Sequence, residues 1–571
     1  MVPRTPPVAC DKLSLGQGVS GDLTSERASR FPIWMGVAIL LFTAIVRLWG
    51  LGSEPILYFD SGAYLGEGGF LASAAERSTA ALFSAGPANP LQRVALSVAS
   101  GTDGHPPDIA KPGHAILLAI SMLLVGKTVL AGALVSSLAG IGTVAATLAI
   151  GLHGWGPRVA LPAAALLAVS GQHLVYSREP LVEGDALLFA TLGSLVFLHA
   201  SGPRGLLVAG SLWGIAFSCN NRFVYVPAIF LIAELACWPG WRGLICRGAM
   251  VGAGFLAPLA AVQAAYLVAA GVGRLAGAPM GWVDYAHQMV DFTRMNTPRI
   301  RVDEWPTYFA DVALMDGLGV LALLLLGVGV LVWRLRRAPR TRADMLLAGS
   351  LLVPLLVYSM YSTGEVRLRH FSLALPWVML AAALALQQLA SLFNQRRTAA
   401  LVCGVVAVVV AAVPRIVALD TAPSGIPSLL LAVGNGPVAA TNGPVLSYFI
   451  GESRTNARLR AAFVNTPDDL NELAQRYSTL VVDMQAEVFP GQLTNLYAET
   501  QPQLVVPNGN EAWYLADLLE HHGMRWGGWT DLLATWRANK EMASQLRVYE
   551  MSDLLGVQGS APPTAALEKG G

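Results

Sequence analysis

Charged residues are scarce in this chain of 571 residues: Asp, Glu, Lys and Arg together make up 13% of it. Ordinary soluble proteins carry about 25%. Hydrophobic residues make up 54%, and the formal net charge is only +1. No whole-protein field therefore points to nucleic acid. The composition predicts a polytopic membrane protein.

Cysteine is also rare, and its spacing points to neither a disulfide nor a metal site. No CxxC pair occurs and the last third has no cysteine; the five are Cys10, Cys219, Cys237, Cys246 and Cys403. A signal-peptide pattern is missing as well, because Met1–Arg30 is polar and lacks a short apolar core. We expect 1–30 to be a cytoplasmic polar tail and the first hydrophobic segment to remain as an anchor.

That first segment, Phe31–Gly50, is long enough to cross a hydrocarbon core, which takes about 20 residues. Arg27 and Arg30 precede it, so the positive-inside rule places its start in the cytoplasm. Arg47, near its far end, either extends to the membrane interface or faces a functional site. The stretch 51–127 follows and is expected to be a large outer loop.

Within that loop, Gly113–Gly126 is apolar but short, at roughly 14 residues, which is typical of a re-entrant or interfacial helix. If it does not cross, every basic connection further along falls on the cytoplasmic side, as the positive-inside rule requires. These connections are Trp155–Arg158, Gly202–Arg204, Trp241–Arg247, Arg334–Arg342 and Asn394–Arg397.

The sequence thus predicts about eleven spans, with the amino terminus inside and the carboxyl terminus outside. After the first span, the others are expected near Thr128–Leu152, Val159–Tyr176, Gly184–Ala200, Leu206–Cys219, Phe223–Trp238, Gly248–Ala270, Val312–Trp333, Met345–Tyr361, Phe371–Leu392 and Ala399–Ile416.

The same topology brings four polar stretches to the outer face, on the side of a lone acid, Asp60. They are Ser177–Asp185, Cys219–Arg222, Gly271–Asp311 and Ser362–His370. Ionisable residues in or near a membrane are costly and usually functional. No charged cluster recurs at mid-span in several helices, as a proton relay or ion pathway would need. The pattern favours one functional face over a path through the bilayer.

Beyond the last span, short apolar runs alternate with helical patterns, which predicts a small outer α/β domain over 417–556. The runs are Val438–Thr441, Thr479–Val482, Gln503–Val506 and Leu546–Tyr549, and the helical patterns are Pro467–Arg476 and Glu511–Glu520. No GxGxxG or P-loop occurs there, so nucleotide binding is not indicated. The final 557–571 is expected to be a disordered tail.

Several features of 31–416 follow one another in a distinctive order. An acid comes soon after the first span, and a Lys-Pro stretch then leads into a short helix. An outer Ser-Arg turn with an acid follows, and a basic turn precedes a late span. This order resembles the GT-C superfamily of membrane glycosyltransferases. It is closest to the family 39 type, which includes protein O-mannosyltransferases and the aminoarabinose transferases of lipid A. The resemblance implies a polytopic α-helical GT-C fold.

The family's acid pair after the first span falls on Asp60 and Ser61, so the first acid is kept and the second is not. The HPP element falls on His105 and the two prolines after it. The Lys-Pro-Pro element falls on Lys111 and the proline that follows, with Gly113 in the place of the second proline.

Two later elements also match. The Ser-Arg-plus-acid element falls on Arg178 and Glu183, with Asp185 close behind. The late Arg-Tyr element falls on Arg369 and His370, with histidine in the aromatic position.

The resemblance implies an inverting transferase that takes its sugar from a polyprenyl phosphate. The leaving phosphate is already charged and needs cations, whereas the acceptor hydroxyl needs one carboxylate base, expected to be Asp60. The expected phosphate ligands are Lys111, Arg178, Arg367 and Arg369. The expected sugar, acceptor or supporting residues are His105, Glu183, Asp185 and His370. Either acid of this last group would orient Arg178 or hold sugar hydroxyls.

The expected partners are the lipid-linked donor, a protein, lipid or glycan acceptor, and membrane lipids of the plasma (inner) membrane, without nucleic acid. Asp103, His105 and Asp108 are of types that bind Mg²⁺, but nothing fixes a geometry. Because the phosphate cations make a metal unnecessary, we expect none.

Alternatives remain open for the residues and for the protein. Asp60 could cap a short helix over Ser61–Ala72. Arg178 and Glu183 could be an ordinary ion pair, and the basic residues near 369 could contact lipid headgroups. The protein could instead be a lipid-carrier transporter or flippase, or a non-catalytic GT-C-like scaffold in an envelope-assembly complex.

Overall fold

The structure is a computed structural model of the whole chain. It describes residues 30–51, 58–85, 89–99, 107, 110–237, 240–275, 277, 284–295, 305–337, 339–360, 368–393, 396–433, 438–442, 445–446, 448, 467–488, 494–520 and 529–560.

The chain is an α-helical membrane protein up to residue 433. Its described helices are α1 (Arg30–Leu48), α2 (Phe59–Phe83), α3 (Pro90–Ala99), α4 (Pro112–Val125), α5 (Val129–Trp155), α6 (Pro157–Ala168), α7 (Gly171–Arg178), α8 (Val182–His199), α9 (Pro203–Cys219), α10 (Val226–Cys237), α11 (Gly240–Leu275), α12 (Tyr285–Met295), α13 (Trp305–Met315), α14 (Leu318–Arg337), α15 (Arg342–Met360), α16 (Leu368–Ser372), α17 (Leu375–Ser391), α18 (Arg397–Asp420) and α19 (Ile426–Val433).

Among the described residues, five helices are long and apolar enough to cross a membrane. The number becomes six if α6 and α7, which are bent by 60° at a short break, form one span. Other apolar helices are shorter: α4 has 14 residues and α17 has 17. The count of about eleven spans stays a prediction.

The stretch 51–127 is largely helical where it is described, rather than an extended loop. It contains α2, α3 and α4, and α2 alone runs for 25 residues. The short helix considered over Ser61–Ala72 is therefore part of a longer one. Its N-cap is Tyr58, without a side-chain cap, so the alternative in which Asp60 caps the helix is wrong.

Small residues bring the long helices into backbone contact. A Cβ atom added to Gly210 would lie 2.2 Å from the Val251 carbonyl oxygen, and one added to Gly254 would lie 2.2 Å from that of Leu207. Glycine lets α9 and α11 approach this closely, which is how helices pack inside a membrane. The helices that carry the polar residues are thereby held in fixed register.

The carboxyl-terminal part forms a four-stranded sheet from the four apolar runs. The strands are β1 (Val438–Ala440), β2 (Thr479–Val482), β3 (Leu504–Pro507) and β4 (Gln545–Glu550), in the order β1-β2-β4-β3. β1 and β2 are parallel, and the other two pairs are antiparallel. The helices around it are α20 (Pro467–Ala474), α21 (Gln485–Val488), α22 (Thr494–Glu499), α23 (Glu511–Glu520), α24 (Trp529–Ala543) and α25 (Met551–Ser560).

The last helix, α25, runs four residues past the expected domain end at 556. Residues 557–560 are thus helical, the rest of the expected tail lies outside the described residues, and its disorder stays a prediction.

One helix of this part, α23, packs against the membrane part beside Asp60. Its Trp513 ring meets the ring of Tyr58 edge to face at 6.4 Å. The Trp513 indole N–H also donates to the Leu419 carbonyl at the end of α18, at 3.1 Å. Both aromatic side chains are buried. The sheet domain therefore covers the start of α2.

Candidate functional site

Asp60 lies in the first turn of α2, where the helix dipole favours a negative charge. Its Oδ2 accepts a hydrogen bond from the Arg369 guanidinium at 2.5 Å. The carboxylate is 31% exposed, whereas the Arg369 side chain is only 5% exposed. The site thus presents an accessible carboxylate with a buried cation behind it.

Arg369 keeps its charge despite burial. Burial by itself lowers the pKa of the guanidinium, but Asp60 and then Glu183 outweigh it and raise the pKa above its ordinary value. Arg369 belongs to the short helix α16, next to His370, which is half-buried. A permanently charged arginine at this position can hold an anion with several N–H donors.

Lys111 is the second cation of the site. Its ammonium donates to the Tyr64 hydroxyl one turn beyond Asp60 on α2. Burial lowers the pKa of Lys111 to about 8, although Asp60 acts in the opposite direction. Burial, and then the charge of Asp60, raises the pKa of Tyr64, so its hydroxyl stays protonated. Lys111 is therefore charged at neutral pH and titrates just above it.

The segment before Lys111 is held in a costly conformation. Ala110 has a φ of +58°, a left-handed value that non-glycine residues seldom adopt. Its backbone N–H donates to Gln288 Oε1 at 3.0 Å, and the Gln288 amide donates to the Pro107 carbonyl at 2.9 Å. Strain that surrounding contacts maintain is a mark of functional positioning. Here the contacts fix where Lys111 enters the site.

Gly113 occupies the position where the family has a second proline. A Cβ atom there would lie 2.3 Å from Ser218 Oγ and 2.9 Å from the Cys219 backbone nitrogen. No side chain fits without moving the end of α9. The departure from the family pattern thus has a steric cause and leaves Lys111 in place.

Glu183 is held by the polar turn after α9. It accepts from the Arg222 guanidinium at 3.2 Å and from the Asn220 amide at 3.3 Å, and its side chain is almost fully buried. Arg222 is 17% exposed and also lowers the pKa of Lys111 through its charge. The interaction places Arg222 near the other cations.

Asp185 pairs with a histidine that the sequence analysis did not select. The His114 Nδ1 lies 3.0 Å from its carboxylate, and both side chains are buried. The His114 ring also meets the Tyr64 ring edge to face at 5.1 Å. The described partners of Glu183 and Asp185 do not include Arg178, and the roles of the two acids toward Arg178 or sugar hydroxyls stay predictions.

A second acid reaches the Asp60 neighbourhood from an unexpected place. Ser61 donates its hydroxyl to Glu179 Oε2 at 3.1 Å. Glu179 is buried, and burial raises the pKa of its carboxyl to about 8 although the Ser61 hydrogen bond lowers it. An acid at position 61 would meet this carboxyl directly. The Ser61 departure therefore coincides with an acid supplied by the turn after α7.

Arg178 and Arg47 both bind backbone carbonyls at helix ends. The Arg178 guanidinium donates to the carbonyls of Val46 and Trp49 at the end of α1. The Arg47 guanidinium donates to the Ala168 carbonyl at 3.1 Å and lies 2.6 Å from His173 Nδ1. Arg47 is fully buried, and its described partners lie at the bend between α6 and α7. Both arginines fix the bend between α6 and α7 against α1.

Two of the predicted site residues, Arg367 and His105, lie outside the described residues, as do Asp103 and Asp108. Their roles stay predictions. Within the described ranges, no group of three or more histidine, cysteine, aspartate or glutamate side chains could hold a metal ion.

The structure adds five polar residues to the site: Tyr64, His114, Glu179, Asn220 and Arg222. Three of them stand in polar stretches that the sequence analysis placed on the outer face, namely Ser177–Asp185 and Cys219–Arg222. The sequence therefore placed these three residues on the functional face, but residue type alone did not show which polar residues of those stretches belong to the site. Tyr64 stands one turn after Asp60, a spacing that places both on one side of a helix.

No protein-family model and no curated protein matches the sequence. Solved structures do match in fold. ArnT from Cupriavidus metallidurans in the apo state has a TM-score of 0.52 and 12% identity, with 83% of this chain and 96% of ArnT covered. ArnT bound to undecaprenyl phosphate has a TM-score of 0.50 and 13% identity, with 84% and 96% covered.

The apo oligosaccharyltransferase from Archaeoglobus fulgidus gives a TM-score of 0.51 at 12% identity, with 81% of this chain and 71% of that chain covered. The chain therefore has the GT-C fold of membrane glycosyltransferases. This confirms the fold that the sequence resemblance implied.

Proposed function

We propose that the protein is a membrane glycosyltransferase that moves a sugar from a polyprenyl-phosphate carrier to an acceptor hydroxyl, with inversion at the anomeric carbon. The observation that carries this proposal is the accessible Asp60 carboxylate held by the buried Arg369, with Lys111 beside it, on a GT-C fold. The structure of ArnT bound to undecaprenyl phosphate supports a lipid-phosphate donor for this fold.

Asp60 takes the proton of the acceptor hydroxyl as the hydroxyl oxygen attacks the anomeric carbon. Its exposed carboxylate is reachable by an incoming alcohol, and the helix dipole together with Arg369 favours the ionised form that a base needs. A single displacement then forms the new glycosidic bond as the bond from sugar to phosphate breaks.

The leaving polyprenyl phosphate gains charge on its bridging oxygen and is stabilised by cations already in place. Arg369, Lys111 and Arg222 interact electrostatically within one cluster that also contains Asp60 and Glu183. Three cations against two acids leave positive charge for one further anion. No general acid is required, because the leaving group is a weak base.

Arg369 links the two halves of this chemistry. A guanidinium has five N–H donors, so it can hold a phosphate while one N–H still contacts Asp60. In the free site this positive charge acts on Asp60 and then on Glu183, and a donor phosphate would share it. Donor binding would thereby loosen the ion pair and make Asp60 a stronger base when its substrate is present.

We further propose that this site faces the outside of the plasma (inner) membrane, as the sequence topology predicts. The sheet domain, which contacts the start of α2, would then lie outside and take part in acceptor binding.

The test is release of polyprenyl phosphate by the purified protein in detergent, incubated with a panel of polyprenyl-phosphate sugars with and without simple alcohol acceptors. We expect release with at least one donor. Absence of release together with absence of donor binding would contradict the proposal and favour a scaffold. Donor movement across a sealed bilayer without cleavage would favour a transporter.

Lys111 gives the proposal a pH signature. Because its pKa is about 8, its charge is lost as the pH rises through that value, whereas the donor phosphodiester stays ionised. We expect donor affinity to be flat below neutral pH, to fall by about tenfold in total as the pH rises through the pKa of Lys111, and then to level off, because one charged hydrogen bond is lost.

Two variants separate Lys111 from other titrating groups. Lys111→Met should weaken donor binding about tenfold at neutral pH, since a charged hydrogen bond is lost. The fall in donor affinity at higher pH should also disappear, because methionine does not titrate. Lys111→Arg should keep the charge at all these pH values and give a flat profile. A fall near pH 8 that persists in both variants would rule out Lys111 as its source.

A further inference from the structure

A cavity that Asp60 does not line lies between the long helices. It has a volume of about 780 Å³, is open on one side, and is lined mainly by α1, α6, α17 and α18. Its walls are mainly apolar and include Ala38, Leu161, Ala165 and Val405. A cavity of this volume is in the range of small-molecule sites.

Basic residues stand at one end of this cavity. Arg158 is at the start of α6 and Arg397 at the start of α18, and both line the cavity and are exposed. Within the described part of the chain, neither has an ion-pair partner. Arg334 lines it too, but its guanidinium is bound to Asp344 at 3.1 Å. Two charged groups at the mouth are thus available to an anion.

The cavity has the depth of one membrane leaflet. On α18 its lining runs from Arg397 to Val409, which is about 18 Å at the helical rise of 1.5 Å per residue. The hydrocarbon core of a bilayer is about 30 Å thick. A single acyl chain can therefore fill the apolar part while its headgroup stays at the basic mouth.

This mouth lies at the opposite end of the helices from the Asp60 site. Arg369 stands just before α17, and Ser391, the last residue of α17, lines the cavity. A helix of 17 residues separates them, which is about 25 Å. The cavity mouth therefore belongs to the face that carries the basic connections.

We propose that this cavity binds an anionic glycerophospholipid, with its phosphate between Arg158 and Arg397 and one acyl chain among α1, α6 and α18. The charge of the mouth complements such a headgroup. In the orientation proposed above the mouth lies in the cytoplasmic leaflet, which is rich in anionic lipids. A zwitterionic lipid offers the same chain but no net negative charge. The bound lipid would hold α18, which makes few buried contacts of its own, against α1 and α6.

The experiment reconstitutes the full chain in nanodiscs of equal parts phosphatidylglycerol and phosphatidylcholine and releases it into native mass spectrometry. We expect one retained phosphatidylglycerol on the wild type. The Arg158→Gln/Arg397→Gln variant should lower its affinity roughly 25-fold, about fivefold for each basic residue removed. The matched control is Arg336→Gln/Arg340→Gln, two exposed arginines that do not line the cavity and should leave retention unchanged.

A second pair of variants tests the chain pocket without changing charge. Ala38→Phe narrows the cavity from an exposed position on α1 and should reduce retention, whereas Leu41→Phe, exposed on the same helix outside the cavity, should not. Equal retention in all variants would overturn the proposal, as would equal loss in the controls. Preferential retention of added undecaprenyl phosphate would also overturn it, and would make the cavity a carrier-lipid site.

Discussion

Asp60→Asn is expected to abolish sugar transfer, with turnover reduced by about 10²- to 10⁴-fold, the range of a lost general base. The amide has nearly the same size as the carboxylate but cannot accept the acceptor proton. Its oxygen can still take a hydrogen bond from Arg369, so the fold and the position of α16 should be kept. Turnover is measured as polyprenyl phosphate released at saturating donor.

The control for this variant is Glu76→Gln on the same helix. Glu76 is an exposed acid paired with Lys127, remote in sequence from the reacting groups. The Glu76→Gln variant should have the turnover of the wild type. Donor binding by Asp60→Asn should remain within a few-fold of the wild type or become tighter, because the Asp60 carboxylate no longer competes with the phosphate for Arg369. Wild-type turnover in Asp60→Asn would contradict the assignment of the base.

Arg369→Gln is expected to lower turnover by about 10²- to 10³-fold, the effect of removing one group that stabilises developing charge. Donor affinity should fall as well, since the phosphate loses a charged ligand. The loss should be larger in turnover than in affinity if Arg369 acts mainly on the leaving phosphate in the transition state. Steady-state kinetics with a separate donor-binding measurement resolves the two.

Arg369→Lys separates charge from geometry. Lysine keeps one positive charge but lacks the planar guanidinium that can hold a carboxylate and a phosphate together. Turnover of Arg369→Lys should therefore lie between that of Arg369→Gln and that of the wild type. Arg204→Gln, at an exposed helix start, is the matched surface control and should behave as the wild type. Unchanged turnover in Arg369→Gln would contradict a role of Arg369 in stabilising the leaving phosphate.

The site also explains two departures from the family pattern. Ser61 does not leave the neighbourhood with a single acid, because Glu179 comes from a distant turn and accepts its hydroxyl. Gly113 stands where proline cannot, because the end of α9 fills the space. Neither departure removes Asp60 or Lys111, so neither argues for a non-catalytic relative.

The amino-acid sequence by itself determined that the chain is a helical membrane protein and where its short strands lie. Low charge and long apolar runs are compatible with few classes of protein other than membrane proteins. The short strands could be located because strand and helix patterns are local properties of the chain. It also selected Asp60, Lys111 and Arg369 as candidate site residues, because the order of the elements resembles a known superfamily.

Only the tertiary structure decided which of these residues meet. Asp60 and Arg369 are 309 positions apart, and no local pattern relates two such residues. No local pattern relates Glu183 to its partner Arg222 either. Nor does one predict that the Arg178 guanidinium donates to a carbonyl at the end of α1. A buried charged group takes whatever partner the packed helices place beside it, since leaving it unpaired costs several kcal/mol, of order 3–5. That choice depends on helix packing, which the sequence pattern does not specify.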